Sequence, residues 1–339
     1  MRHFLARLYG AAARRRRRYF ATHPDARRRL DRPVISVGAL RVGGSGKTPV
    51  AAAVCERLVA MGERPALLSR GYGRAQTTDG VVVVRDHTTV LGRLDTAGDE
   101  PWMLAEQLDG VAVVVAPDRF LAGTLAERCL DATVHVLDDG FQHLGLDRTC
   151  DLVVVRAEEL DDEVLPAGRL RERLEAAGAA DALLVVDRDP SVRDHVAERL
   201  GASRRFGVTM AVHPPTLRSP TEVAAPIAPD AAVFILAGIA DPARFVRDVT
   251  ELGWSPAGTA VYPDHHRYTA VDVERVMTEA RAVGAEVIVT TDKDWVRLAR
   301  WCPGQLPLAV ARLRASVEPA DAFDQFLADG LRAARERAA

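Results

Sequence analysis

The sequence predicts an α/β protein: a P-loop NTPase-like, doubly wound and mostly parallel sheet, followed by a second, smaller α/β domain. Three observations predict this. The stretch PVISVGALRVGGSGKTPVAAAVCERL from Pro33 joins a short apolar run to a glycine-rich turn and then to an amphipathic helical pattern. Further apolar runs follow at 65–68, 81–84, 111–116, 133–137, 152–155 and 182–186, with helical patterns between several of them. Such continuous apolar runs suit strands covered on both faces, whose ligands gather at the carboxyl ends. A second strand–helix alternation then occupies 232–290, after prolines at 214, 215, 220, 226 and 229 have interrupted regular structure.

The glycine-rich stretch has the composition of a phosphate cradle. Val34 to Val37 read as a buried strand, four glycines fall between Gly38 and Gly46, and Thr48 opens a helix with Pro49 in its first turn. Glycines let successive N–H groups close around an anion, Lys47 can reach terminal phosphates, and the Thr48 hydroxyl can ligate Mg²⁺. The usual pattern places glycine where Arg41 stands, while Gly43 and Gly44 shift the flexible part of the loop. Of 45 lysines plus arginines only Lys47 and Lys293 are lysine. A compact ammonium kept in an arginine-using chain implies that a guanidinium does not fit the loop, and it makes Lys293 a second position of interest.

The helix from Thr48 carries Val50, Val54, Leu58 and Met61 on one face and stops near Gly62. HVLDDGFQH is a strand ending in Asp138 and Asp139, the place where a P-loop enzyme holds Mg²⁺ directly or through water. TAGDEPWMLAEQL is a helix start with Asp99 or Glu100 expected as cap and Pro101 in the first turn, and PDRFLAGTL is a similar start with Arg119 in its first turn. YPDHHRYT sets Asp264, His265 and His266 before a helix from Ala270, which suits either proton transfer or a plain helix-entry loop.

At 339 residues, two domains are the default. The divisions expected are an arm at 1–32, a nucleotide domain at 33–207, a linker at 208–230, a smaller domain at 231–315, and a terminal helix at 316–339 that could pack on either domain. A net charge of −2 hides an asymmetry, since residues 1–32 carry +9 and the remainder −11. In the arm, Phe4, Leu5, Leu8 and Tyr9 recur at roughly helical spacing before five consecutive arginines. The apolar run is too short for a spanning helix and the charge is misplaced for a secretory signal; an amphipathic segment with an arginine cluster suits an anionic membrane surface, the expected partner, with a nucleic-acid arm or a solvated helix as the competing readings. An acidic remainder argues against nucleic acid, and no obligate protein partner is implied. The four cysteines show no paired spacing and read as free thiols.

RVGGSGKTP, SRGYGR (69–74), GDEP (98–101), PDR (117–119), LDDGFQH (137–143), LPAGRLRE (165–172), GIADPARF (238–245), DHH (264–266) and TTDKD (290–294) together resemble the tetraacyldisaccharide 4′-kinase family of lipid A biosynthesis. The resemblance runs from about residue 33 to 296, and its many ordered blocks make it specific. It implies a P-loop domain joined to a smaller α/β domain, with the active site between them. It also implies a peripheral enzyme on the cytoplasmic face of the bacterial inner membrane that uses ATP and Mg²⁺ to phosphorylate the 4′-hydroxyl of a tetraacylated glucosamine disaccharide 1-phosphate. Carried over residue by residue, Arg41, Val42, Gly43, Gly44, Ser45, Gly46, Lys47 and Thr48 bind ATP, and Thr48 with Asp138 or Asp139 serves Mg²⁺. Asp99 looks like the base, His265 its partner, and Lys47 a third catalytic group. Tyr72, Glu100, Arg119, Gln142, His143, Arg171 and Glu172 match positions that would line the lipid-sugar site. The competing class is a membrane-docking ATPase switch of the partition type; such proteins carry a second lysine early in the loop, where Val42 precedes the paired glycines here. A GTPase is disfavoured because TTDKD sets Lys293 directly before Asp294.

Overall fold

The computed structural model describes residues 1–71, 74, 80–218, 225–301 and 307–338. Two compact units emerge, one formed by 1–210 with 315–339 and the other by 211–314.

The first unit opens on helix α1 (Arg2–Thr22), followed by β1 (Val34–Ala39), α2 (Lys47–Ala60), β2 (Pro65–Ser69), β3 (Val82–Arg85), α3 (Leu94–Ala97), α4 (Asp99–Gln107) and β4 (Ala112–Val115). It continues through α5 (Arg119–Cys129), β5 (Val134–Asp138), β6 (Cys150–Val155), β7 (Ala182–Val186), α6 (Pro190–Arg199) and β8 (Arg205–Val212). In the second unit lie β9 (Thr216–Arg218), β10 (Val233–Ala237), α7 (Pro242–Glu251), β11 (Pro256–Val261), α8 (Ala270–Ala282), β12 (Val287–Thr291), α9 (Asp292–Leu298) and β13 (Leu308–Ala311). The chain then returns through β14 (Leu313–Glu318) to α10 (Ala320–Ala338).

The large sheet has the order β14-β8-β7-β6-β1-β5-β2-β4-β3. Its central pairs are parallel, and β3 joins β4 antiparallel at one edge. Alternation along the strands feeds two opposite cores, as a pleated strand buried on both faces requires. Ile35, Val37, Leu67, Val113, Val136 and Val154 point to one, where α2, α4 and α10 pack. Val34, Ala66, Leu68 and Val114 point to the other face with α5, and Val153, Val155 and Leu183 do so nearer α6. The chain leaves β1 toward β2 on one side but leaves the adjacent β5 toward β6 on the other, so the connections from these two neighbours run in opposite directions. A crevice at the carboxyl ends of the strands beside such a reversal is where open α/β sheets bind ligands.

The smaller sheet runs β11-β10-β12-β13-β9, parallel except for β9. It too is covered on both faces, by α8 and α9 over Phe234, Leu236 and Ile288, and by α7 over Val233, Ile235 and Val289.

Several details differ from expectation. The stretch expected as a linker contains the end of β8 and the edge strand β9, because Pro214 and Pro215 fall in the gap between strands rather than inside either. Helix α4 is capped by Gly98, not by an acidic side chain; Asp99 and Glu100 occupy its first turn instead. Helix α10, left open by the sequence, packs on the first unit: Phe323 is fully buried, edge-on to Phe206 with ring centroids 4.9 Å apart. Phe323→Ala should therefore destabilise the first unit by about 3–5 kcal/mol, the usual cost of deleting a buried aromatic side chain. The check is the urea midpoint of that unit's transition, and an unchanged midpoint would show that α10 contributes nothing to its stability.

Candidate functional site

The phosphate loop leaves β1 and reaches α2 through Gly43 (φ 69°), Gly44 (φ 60°) and Gly46 (φ 84°), three left-handed positions that explain glycine there. A Cβ on Gly43 or Gly44 would meet nothing within 4 Å, so at these two the backbone conformation alone sets the requirement. Between them and α2, the Ser45 hydroxyl is buried without a hydrogen-bond partner. An orphaned buried donor in a glycine cradle at the N-terminus of a 14-residue helix fits an anionic ligand. Arg41 pairs with Glu158 at 3.0 Å and lies 3.9 Å from Asp162, while Val42 N–H donates to the Arg169 carbonyl.

Two consecutive carboxylates follow β5, and their surroundings separate them. In the β1–β5 register Val37 stands opposite Asp138, which puts that carboxyl beside the loop. The Thr48 hydroxyl is 3.5 Å from Asp138 Oδ1. Asp139 adopts a left-handed backbone (φ 57°), and both its oxygens accept from Arg171 Nη1 at 2.8 Å, with Lys47 Nζ 3.9 Å away. Burial, together with the negative charges of Glu100 and Asp139, pushes the Asp138 carboxyl up to about 7 against the opposing pull of Lys47 and Arg119. A buried carboxylate short of positive charge, next to a threonine hydroxyl, is a hard-oxygen donor set suited to Mg²⁺. Among the described residues no group of three or more His, Cys, Asp or Glu forms a preformed cage. Mg²⁺ does not require one, since it commonly takes one or two protein oxygens and completes its shell with water and phosphate.

Around the carboxylates, Arg119 is buried and its Nη1 donates to the Pro117 carbonyl at 3.1 Å. Burial and the neighbouring Arg70 charge lower it to about 10. Burial and the Arg119 charge bring His143 down to about 4, so its ring is neutral near pH 7. Gln142 Nε2 donates to the Ala39 carbonyl at 3.2 Å and Gln142 Oε1 accepts from Arg171 at 3.2 Å. Glu172 is buried beneath α1, where Arg17 donates to both its oxygens at 2.6 and 2.7 Å. Tyr72 lies outside the described residues.

Sequence reasoning did not anticipate this last contact. Arg17 also donates to the Phe141 carbonyl at 3.3 Å and lies 4.1 Å over the Phe141 ring, while Arg16 donates to the Gln142 carbonyl at 2.9 Å. Helix α1 packs its Ala6–Gly10–Ala13–Arg17 stripe inward and leaves Phe4, Leu5, Leu8 and Tyr9 exposed. A cavity of about 560 Å³ lies between α1 and the 172–176 segment, lined by Arg14, Arg15, Arg17, Arg18 and Arg173 together with Glu172 and Glu175. Among the described residues no helix is long and apolar enough to cross a membrane.

In the second unit His265 (φ 63°) and His266 face different partners. His266 Nε2 lies 3.2 Å from Asp272, which also closes a capping box with Thr269 at the start of α8. His265 meets Lys293 and Arg297, each at 3.0 Å.

The raised Asp138 carboxyl makes stability depend on pH with a definite sign. A carboxyl whose folded value lies above its unfolded one contributes stability that is fully present below about pH 4 and lost as pH rises through its folded value, here about 7. In ligand-free protein the melting temperature of Asp138→Asn, relative to wild type, should therefore be higher at pH 8 than at pH 5. A pH-independent difference would show that Asp138 ionises without strain.

A family model described as tetraacyldisaccharide-1-P 4′-kinase (LpxK) matches residues 3–332. A tetraacyldisaccharide 4′-kinase of Desulfotalea psychrophila is 36% identical over 84% of this chain and 83% of its own length. That of Koribacter versatilis is 34% identical over 94% and 95%. Among solved structures, LpxK from Aquifex aeolicus in complex with ATP superposes with a TM-score of 0.80 at 28% identity, covering 96% of this chain and 97% of that one. With a phosphate loop, a carboxylate pair and a family match extending over nearly all of its length, the chain belongs to the tetraacyldisaccharide 4′-kinase family.

Proposed function

We propose that this protein transfers the γ-phosphoryl group of ATP to the 4′-hydroxyl of a tetraacylated glucosamine disaccharide 1-phosphate, a step of lipid A biosynthesis. The observation that carries the reading is the phosphate loop at the end of β1 set beside Asp138 at the end of β5, in a chain of this family. Phosphoryl transfer needs positioning and charge neutralisation more than covalent chemistry. The loop from Arg41 to Thr48 binds the nucleotide, its N–H groups and Lys47 meeting the phosphates. Thr48 and Asp138 would hold Mg²⁺, which supplies charge neutralisation on the phosphate oxygens. Arg171 grips Asp139 and donates to Gln142 as well, and Asp139 in turn lies 3.9 Å from Lys47.

Asp99, in the first turn of α4, takes the proton of the attacking hydroxyl, and His265 orients it. Arg119 is the buried cation for the transferring or acceptor phosphate. Tyr72, Glu100, Gln142, neutral His143, Arg171 and Glu172 line the sugar. The exposed apolar residues of α1 and the arginines beside them dock on the anionic cytoplasmic face of the bacterial inner membrane, where each basic side chain contributes about 1 kcal/mol. This reading needs no nucleic acid and no protein partner.

Labelled ATP, Mg²⁺ and the tetraacylated disaccharide 1-phosphate should yield a new phosphomonoester, and absence of that product from folded protein that binds ATP would refute the assignment. Asp99→Asn should lower turnover more than ~10²-fold with ATP affinity nearly intact, and His265→Ala should do the same. The double variant should be little worse than either, because residues that act as a unit are non-additive. Full multiplication of the two losses would separate them.

Membrane docking has its own test. Deleting α1 would strand the buried Glu172, so the cleaner variant replaces the outward arginines: Arg14→Gln, Arg15→Gln and Arg18→Gln together. Binding to vesicles containing anionic phospholipid should weaken and lose its salt dependence, while ATP affinity stays at the wild-type value. Unchanged vesicle binding would place the docking surface elsewhere.

A further inference from the structure

Residues 169–172 tie the phosphate loop, the carboxylate turn and the N-terminal helix to one short piece of chain. Their backbone pairs with the entry of the loop: Arg171 N–H donates to the Leu40 carbonyl at 2.7 Å, Val42 N–H donates to the Arg169 carbonyl at 2.9 Å, and Leu170 bridges antiparallel to Arg41. The Arg171 side chain holds Asp139 and Gln142. Glu172, next in sequence, meets Arg17 of α1.

Arg17 closes these contacts into a ring. Its Nε and Nη2 donate to the two Glu172 oxygens at 2.6 and 2.7 Å, and the same Nη2 reaches the Phe141 carbonyl at 3.3 Å. Its guanidinium lies 4.1 Å from the centroid of the fully buried Phe141 ring. The circuit runs from Arg17 to Glu172, along the chain to Arg171, across to Asp139, and back through Gly140 and Phe141 to Arg17. A planar fork on one carboxylate fixes direction as well as distance. The turn needs that support, because Asp139 holds left-handed backbone (φ 57°), a conformation that persists only where its surroundings over-determine it. From the other side the turn is held to β1, where Gly140 N–H donates to the Val37 carbonyl at 3.0 Å.

The ring also decides which cation serves which anion. Asp139 stands 3.9 Å from Lys47 Nζ, but both its oxygens already accept from Arg171. A turn that drifted off Arg171 would leave Asp139 to pair with Lys47 and draw that ammonium from a bound nucleotide. We infer that Arg17 is a positioning residue for phosphoryl transfer: by bonding Phe141 and Glu172 together it keeps Asp139 on Arg171, and so keeps Lys47 for the nucleotide phosphates. This rests on the reading of the loop and carboxylate turn as the nucleotide site, and every contact in it lies within the first unit.

The test compares full-length wild type, Arg17→Gln and Arg17→Lys. Gln strips the buried Glu172 carboxylate of this cation, whereas Lys keeps a charge there but lacks the planar fork that spans Glu172 and Phe141. Arg17→Gln should therefore melt below wild type, and Arg17→Lys should recover most of that loss. Turnover should not follow. Both variants should lose roughly 10- to 100-fold in kcat, the range for losing a group that orients the residues of a metal site, and both should bind ATP more weakly than wild type. Hydrogen exchange supplies a readout that needs no acceptor. In Arg17→Lys, peptides spanning 138–143 and 169–172 should exchange faster than in wild type, while those from β7 keep the wild-type rate.

Wild-type turnover in Arg17→Gln overturns the inference. Turnover that returns together with the melting temperature in Arg17→Lys does so too, since that is what a purely structural ion pair gives. Unchanged exchange at 138–143 in Arg17→Lys is equally fatal, and this variant decides alone should Arg17→Gln fail to fold. If the wild-type protein forms no phosphomonoester, the proposed function fails by itself; exchange and ATP affinity then still decide whether Arg17 holds the turn and keeps Lys47 for the nucleotide.

Discussion

The parallel pairing of β1 with β5 is the constraint on which the first unit's chemistry depends. Because Val37 stands opposite Asp138, the strand that delivers the glycine loop and the strand that delivers the carboxylates end side by side. The approach is close enough to dictate sequence. A Cβ on Gly38 would lie 2.5 Å from Phe141 Cβ and 2.6 Å from its backbone nitrogen. Any side chain there would push the 138–143 turn off β1 and carry both aspartates with it. The same turn is clamped from outside by Arg16 and Arg17, which bond the carbonyls of Gln142 and Phe141. The carboxylates therefore sit on a segment gripped from both sides, as a site that must hold charge in a fixed place requires.

Electrostatics then sort residues that look alike in the sequence. Asp138 and Asp139 are adjacent, yet Asp139 is neutralised by Arg171 while Asp138 is buried beside Thr48 with its carboxyl raised to about 7. The less compensated of the two stands where added positive charge is favourable. The aspartates' backbone differs as well: Asp139 and His265 are two of the three non-glycine residues with positive φ among those described. Strained backbone at both is consistent with positions that matter for more than folding.

Much of this was legible in the chain. Continuous apolar runs marked the strands of the large sheet because each is buried on both faces, and the glycine loop was evident because its residue types leave few alternatives. Three strands were not legible: β9 is three residues long, β14 buries a single residue, and β8 runs into a proline-rich stretch, so none presents a long apolar run. Likewise, a capping carboxylate was expected at Asp99 or Glu100, and glycine took the cap; cap chemistry alone cannot say which of three neighbouring residues adopts the nonhelical conformation. The contacts least visible were long-range ion pairs. Nothing local in LPAGRLRE indicates that Glu172 meets Arg17, 155 positions away.

That pairing changes what the arginine run means. Composition makes residues 14–18 a uniform basic patch, but the helix assigns them separate tasks according to face. Arg17 turns inward to Glu172 and Phe141, Arg16 reaches the Gln142 carbonyl, and Arg14, Arg15 and Arg18 remain exposed beside a cavity that Glu172 and Glu175 also line. A detachable tether would need only the last three. An arm that also holds Glu172 in a buried bidentate pair cannot leave without uncovering a charge, which is costly for any buried ion deprived of its partner. Helix α1 is thus part of the wall behind the site as well as its outward face. Anything that seats its exposed Phe4, Leu5 and Leu8 in a lipid surface fixes, through Arg16 and Arg17, the turn that bears Gln142 and follows the two aspartates.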